Sequence, residues 1–219
     1  MKHVAEKTWV GYMAPFIHKF GKMTVGDAVT IAKSAYYMYA DEVRSYHGVY
    51  HPMHILEYAK ENNIELSDEQ VIAIIFHDVV YKIGGDKNEK ASALFAEAVL
   101  MPHSYTPAHV KSLRKIKHHI IDTKQHFSAT PNLLEPDSKL VLDLDICNMT
   151  LTFAEFSKWN AAIEAELGDI PIQKRIDFLK KFSAKKKILL SDVFSDKEET
   201  VKDNLKKLIG YMEAEKNLN

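Results

Sequence analysis

The chain has 219 residues, 46% hydrophobic and 27% charged, which allows a sizeable packed core and excludes global disorder. Its formal net charge is −1, so no broad field draws it to nucleic acid or an anionic membrane, and any basic site has to be local. One cysteine, Cys147, excludes a disulfide framework and a cysteine-rich zinc site. With no apolar signal core and no run of about 18 apolar residues, the expected setting is a reducing cytoplasm and not a membrane.

Helix-start signals recur along the chain. His51 before Pro52 is the first. Ser67 with Gln70 and Asp86 with Glu89 have capping-box spacing, in which the first side chain covers a free amide and the third returns the bond. Thr106 before Pro107 fits an N-cap followed by proline at the first helical position. Thr152 with Glu155 and Ser195 with Glu198 repeat the box. Between the starts, apolar residues fall at helical spacing, as in Ile176, Phe178, Leu179 and Phe182, and again in Leu205, Leu208, Ile209 and Met212. The run Val71–Phe76 is apolar on all sides. Its length also suits a buried strand, but the box at Ser67 favours a central buried helix. No alternating strand appears, so the expectation is all-α with roughly eight to ten helices. Loops are expected around Gly84-Gly85 and over 101–106, 127–136 and 168–171. None is long enough to separate two domains. The expected organisation is one domain over 1–219, with a core over about 29–150 and a C-terminal helical extension, 151–219, packed on it.

Four clusters have the residue types for chemistry. Tyr46 to His51, with His54 behind, brings imidazoles that suit a transition metal, and His51 and His54 fall one turn apart. Turn or surface histidines are the plain alternative. His77 and Asp78 directly follow the buried run. An unpaired buried carboxylate costs several kcal/mol, so the pair is expected to be ion-paired or metal-bound, unless the helix end emerges into solvent there. Asp143-Leu144-Asp145 sits among apolar residues and suggests a cation or basic partners, a solvated helix face being the alternative. Lys117-His118-His119, followed by Asp122, Thr123, Lys124 and His126, can be read as a phosphate-facing or second-metal wall, with His119 and His126 seven apart on one helix face. For Lys111 to Lys117 a solvated basic helix is the better reading. Cys147 reads as a buried, inert thiol. Walker and Gly-x-Ser-x-Gly spacings are absent, which argues against a P-loop NTPase and a serine hydrolase.

A histidine, a His-Asp pair about 25 residues later and a distal aspartate resemble the ligand order of HD-superfamily phosphohydrolases. The match is most similar to a bacterial and phage group of metal-dependent members with unassigned substrate. It includes Arg44, Tyr46, His47 and His51, then Phe76, His77, Asp78, Val80 and Tyr81, then Asp86, Asn88, Glu89, Ser92 and Ala93. Thr123, Lys124 and His126 follow, then Leu142, Asp143 and Asp145. A weaker pattern continues through Glu166, Arg175, Phe178, Leu179, Ile188, Asn204 and Leu205, so the likeness covers most of 29–212. Two departures stand out. Ile163-Glu164-Ala165-Glu166-Leu167 has an acid where the group often has arginine, and Tyr46-His47-Gly48 has glycine where related phosphodiesterases have asparagine.

The resemblance implies an HD-type helical bundle. It implies a divalent ion (Mn, Mg, Fe, Co, Ni or Zn) held by His51, His77, Asp78 and Asp145. Asp145 is preferred over Asp143 because Leu144-Asp145-Ile146-Cys147 best fits the family's ligand context. His47 resembles a general acid. Lys82, Lys124 and His126 are candidates for holding phosphate, Glu89 for orienting a water, and His119 or His126 for a second ion. The implied substrate is a small phosphorylated molecule, a nucleotide or cyclic nucleotide, cleaved by a metal-activated water. Nucleic acid and membrane are not expected partners, and a homo-oligomer is compatible with the chain. The rival readings are a non-catalytic HD-fold module that binds a nucleotide or protein, and a helical interaction protein with a structural metal, which the carboxylate-rich set fits poorly.

Overall fold

In the computed structural model of the chain, residues 4–127, 134, 136–168 and 170–218 are described. Among them are ten α-helices and no strand, so the all-α expectation holds. They are α1 (Glu6–His18), α2 (Val25–Tyr39), α3 (Tyr50–Glu61), α4 (Asp68–Phe76), α5 (Asn88–Leu100), α6 (Pro107–Asp122), α7 (Pro136–Asp145), α8 (Phe153–Leu167), α9 (Ile172–Ser183) and α10 (Glu198–Leu218). The expected loop over 127–136 lies mostly outside the described residues.

The centre of the molecule is α4. Ser67 and Gln70 form the predicted capping box, and the Gln70 amide also donates to the Asp137 carbonyl at 3.0 Å, tying α4 to α7. From Gln70 to Phe76 every residue of α4 is buried, because α1, α3, α5, α6 and α7 all pack against it. Each fully buried isoleucine or phenylalanine there contributes about 1.5–3 kcal/mol. The core also takes in a helix ahead of its expected start at 29. Trp9, Met13 and Ile17 on α1 are fully buried, and the Trp9 indole donates to the Val49 carbonyl at 3.1 Å, fixing the entry to α3. A single cluster of buried apolar side chains runs from Val4 to Met212.

Local signals succeeded where nothing competed for the capping side chain. Thr106 and Thr152 cap α6 and α8 as predicted. Thr24 and Asp27 make a box at α2 that a search for Glu or Gln in the third place passes over. Three starts differ. Helix α3 begins at Tyr50, so His51 and Pro52 both lie in its first turn, where the missing proline N–H costs nothing. Helix α5 has no side-chain cap, and Glu89 is its second residue. Glu198 accepts from the Ile188 and Leu189 amides at 2.9 and 3.0 Å, which takes it out of a box with Ser195.

Helices α8 to α10 form the C-terminal third. Helix α10 packs on α8, α9 and the 3-10 turn Cys147–Thr150. The Asn204 amide donates to the Met149 and Leu151 carbonyls, both at 2.9 Å, and so pins that turn. No described helix is long and apolar enough to cross a membrane.

Candidate metal centre

The centre forms where three helices end or begin. His51 lies in the first turn of α3, His77 is the C-cap of α4, Asp78 follows it, and Asp145 is the last residue of α7. Helix α4 stops here because the next backbone groups find other partners. The Asp78 amide donates to the Tyr39 hydroxyl at 3.2 Å, and the Arg44 guanidinium donates to the Asp78 and Tyr81 carbonyls at 2.9 and 3.2 Å. The Ser92 hydroxyl pairs with both the amide and the carbonyl of Val80 at 3.1 Å. The Asn88 side chain brackets the amide and carbonyl of Lys82 at 3.0 and 2.9 Å. A Cβ at Gly85 would fall 2.6 Å from the Asn88 side-chain oxygen, so glycine makes room for that bracket.

One ligand atom from each of His51, His77, Asp78 and Asp145 lies within 4.8 Å of the other three. His51 Nε2 is 2.8 Å from Asp145 Oδ1 and 3.9 Å from Asp78 Oδ2. His77 Nε2 is 3.1 Å from Asp78 Oδ2 and 3.2 Å from Asp145 Oδ1. Ligands about 2.1 Å from an octahedral ion are about 3 Å apart when adjacent and about 4.2 Å apart when opposite. The four atoms are thus spaced to hold one ion.

The chemistry of His77 points the same way. Its Nδ1 sits 2.8 Å from the Ile74 carbonyl and so carries the hydrogen. That leaves a lone pair on the buried Nε2, which has no hydrogen-bond partner among the described residues and faces two carboxylate oxygens. The arrangement is repulsive until a proton or a cation enters it. Burial by itself lowers the His77 pKa, but the Asp78 and Asp145 carboxylates override it and hold the imidazole well above its usual range. Burial likewise pushes Asp78 and Asp145 up, and the facing imidazoles bring both below the usual carboxylate range. At His51 burial wins and the pKa falls, which favours the neutral, ligating form.

Two further histidines border the cluster. His126 Nε2 is 2.6 Å from Asp145 Oδ2, and the Lys185 ammonium donates to the His126 carbonyl at 2.7 Å. His47 Nδ1 is hydrogen-bonded to Glu166, whose other carboxylate oxygen accepts from the Tyr46 and His47 amides at 2.8 and 2.9 Å. The Tyr81 ring stacks on His47 with centroids 4.1 Å apart. Burial raises the Glu166 pKa, but the bonds from His47 and the two amides outweigh it and hold the carboxyl below the usual range. Gly48 also has a reason. A Cβ there would lie 2.6 Å from the Arg44 carbonyl oxygen, so this backbone has no room for a larger residue.

A cavity of about 480 Å³ opens over the cluster, a volume suited to a small organic molecule. Of the predicted residues, His47, Asp78, Asp145, Glu89, Lys124 and His126 line it. Lys124 is exposed, and its ammonium donates to the Asp86 carbonyl. Lys82 is exposed and is not among the residues that line the cavity. His126 is engaged with Asp145. His119 is buried against the Ser138 hydroxyl at 2.9 Å and is not in the cluster. His54 packs on the Trp159 ring, centroids 4.4 Å apart, away from His51's ligand set. Asp143 accepts from the Leu190 and Ser191 amides and the Ser191 hydroxyl at 2.7, 2.6 and 2.6 Å. Cys147 is buried, and burial pushes its thiol up, as an inert role requires.

Sequence reasoning had Glu166 in its pattern without a role, because its partner His47 lies 119 positions away. Tyr39 gave no signal at all. No family model, no curated protein and no solved structure matches the chain.

Proposed function

We propose that this chain is a metal-dependent phosphohydrolase of the HD type. It would cleave a phosphoester or phosphoanhydride bond of a small phosphorylated molecule, with a nucleotide or cyclic nucleotide as the implied class. The observation that carries this reading is the convergence of two imidazole nitrogens and two carboxylates, one nitrogen unpartnered, at the floor of a small-molecule cavity. Such a mixed nitrogen and oxygen set suits Mn, Fe, Co, Ni or Zn and, through its carboxylates, Mg. A bound divalent ion supplies Lewis acidity there, polarising a phosphoryl oxygen and acidifying water.

The chain's own residues do the rest. Glu166 fixes the His47 ring through Nδ1, which leaves Nε2 for the cavity that His47 lines. His47 is thereby set to hold a proton for the leaving oxygen. Lys124 stands on the same wall and offers its ammonium to a phosphate oxygen. His126 orients Asp145 through the oxygen not facing His51 and His77, as outer partners of metal ligands do.

The test is direct. Protein stripped and reloaded with Mn, Mg, Fe, Co, Ni or Zn is assayed for phosphate release from nucleotides and cyclic nucleotides, with Asp78→Ala as the control. Turnover that requires the ion and disappears in D78A is expected. Turnover that survives D78A, or reloaded protein that retains no ion, sinks the proposal.

A further inference from the structure

At about 480 Å³ the cavity is larger than an ion and a phosphate require. Helices α8, α9 and α10 contribute Phe156, Ile163, Leu167, Phe178, Leu179 and Leu208 to its lining. These side chains offer no hydrogen bonds. Phe178 keeps 44% of its surface exposed and Ile170, on the same wall, keeps 43%. Apolar surface gathered in a cleft, not scattered over the molecule, marks a place where an apolar body binds.

One charged group interrupts this wall. The Arg175 side chain lines the cavity at only 10% exposure. One of its terminal nitrogens donates to the Asn160 side-chain oxygen at 2.5 Å. Its Nε is buried without a hydrogen-bond partner among the described residues. The nearest carboxylate oxygen, on Glu164, is 3.8 Å away and already accepts from the Asn160 amide at 2.8 Å. A buried guanidinium N–H left without an acceptor is costly, and a ligand that brings an acceptor removes that cost. Lys174, exposed on the same wall, adds positive charge beside it. Asn160, which holds Arg175, and Glu166, which holds His47, are six residues apart on one helix, about 9 Å along its axis.

We propose that Arg175 is a specificity-determining residue. The leaving group of the substrate has an apolar body that fills the chamber of α8 to α10, and it ends in a carboxylate or carbonyl oxygen that accepts from the Arg175 guanidinium. The inference rests on the phosphohydrolase reading for the reacting end alone. The distal pocket stands on its own contacts.

Binding is measured by calorimetry on the metal-loaded protein, with two ligands that cannot be hydrolysed, 2-naphthylphosphonate and 6-carboxy-2-naphthylphosphonate. The carboxylate is expected to tighten binding at least about tenfold, the order of one charge-assisted hydrogen bond. In Arg175→Gln the ratio between the two ligands collapses toward one. A ratio near one in the native protein, or a ratio that R175Q leaves intact, overturns the proposal. A second comparison needs no variant: 6-hydroxy-2-naphthoate is expected to outcompete 2-naphthol on the native protein, and equal binding overturns the proposal. Failure of the phosphohydrolase reading looks different. Inorganic phosphate and both phosphonates then gain nothing from the ion, while 6-hydroxy-2-naphthoate still binds and still depends on Arg175.

Discussion

Asp143 and Asp145 stand two residues apart at the end of α7, and the two faces of that helix surround them differently. Asp143 is closed in by two backbone amides and a hydroxyl from the segment at Leu190 and Ser191. Asp145 receives no backbone donor among its described bonds and meets the imidazoles of His51, His77 and His126 instead. Both carboxylates are pushed up by burial. At Asp143 burial prevails and the pKa stays raised, whereas at Asp145 the imidazoles pull it well below its usual value. Neutral donors that belong to the fold make a clasp. Imidazoles that converge on a carboxylate make a set that could hold a metal ion. Composition does not separate the two aspartates, and their partners do.

Four experiments break or sharpen this contrast. The largest effect is expected from Asp145→Asn, which keeps the shape and removes the charge. Ion affinity should fall by more than the 10- to 100-fold that loss of an outer partner typically costs, read as bound metal per chain after dialysis. Asp143→Asn in the same assay should keep native stoichiometry, and a loss of metal there would erase the distinction. Next is Asp143→Ala, which leaves three donors at Leu190 and Ser191 without their acceptor. Chemical denaturation should show a loss of about 3 kcal/mol with the metal content of the folded protein unchanged. His126→Ala tests the outer partner of Asp145. Affinity should drop about 10- to 100-fold while the melting temperature of the metal-free protein moves little.

The smallest effect is that of pH. The carboxylates raise the His77 pKa, so an ion that takes Nε2 must displace a proton at every pH below the raised value. Lowering the pH through that range should weaken binding by about tenfold per unit, and above the raised value the dependence should flatten. Calorimetry in buffers of different ionisation enthalpy should count one proton released per ion. A flat profile from weak acid to weak base would place His77 outside the ligand set.

Local features were legible in the sequence because their physics is local. The boxes at Ser67 and Thr152 need only residues three apart, and the all-round apolar run of α4 requires cover on every side. The same signal failed at Asp86, where Asn88 is diverted to close its own loop on Lys82. The ligand residues could be put in order, but nothing in their spacing shows that His51 meets Asp145 across 94 positions. Glu166 and Arg175 carried still less signal. Each works through a partner on another segment or through a bond it lacks, and sequence records neither.

The clasp between His47 and Glu166 sets a timetable. The four residues that could hold an ion are all present once residue 145 has been made, whereas the residue hydrogen-bonded to His47 Nδ1 arrives 21 positions later and the last cavity wall named above only at Leu208. A chain growing from its N-terminus therefore has these four residues before it has either the partner of His47 or the far walls of the cavity. The pocket is therefore complete only when α10 is in place, with Asn204 bonded to the turn that follows Asp145.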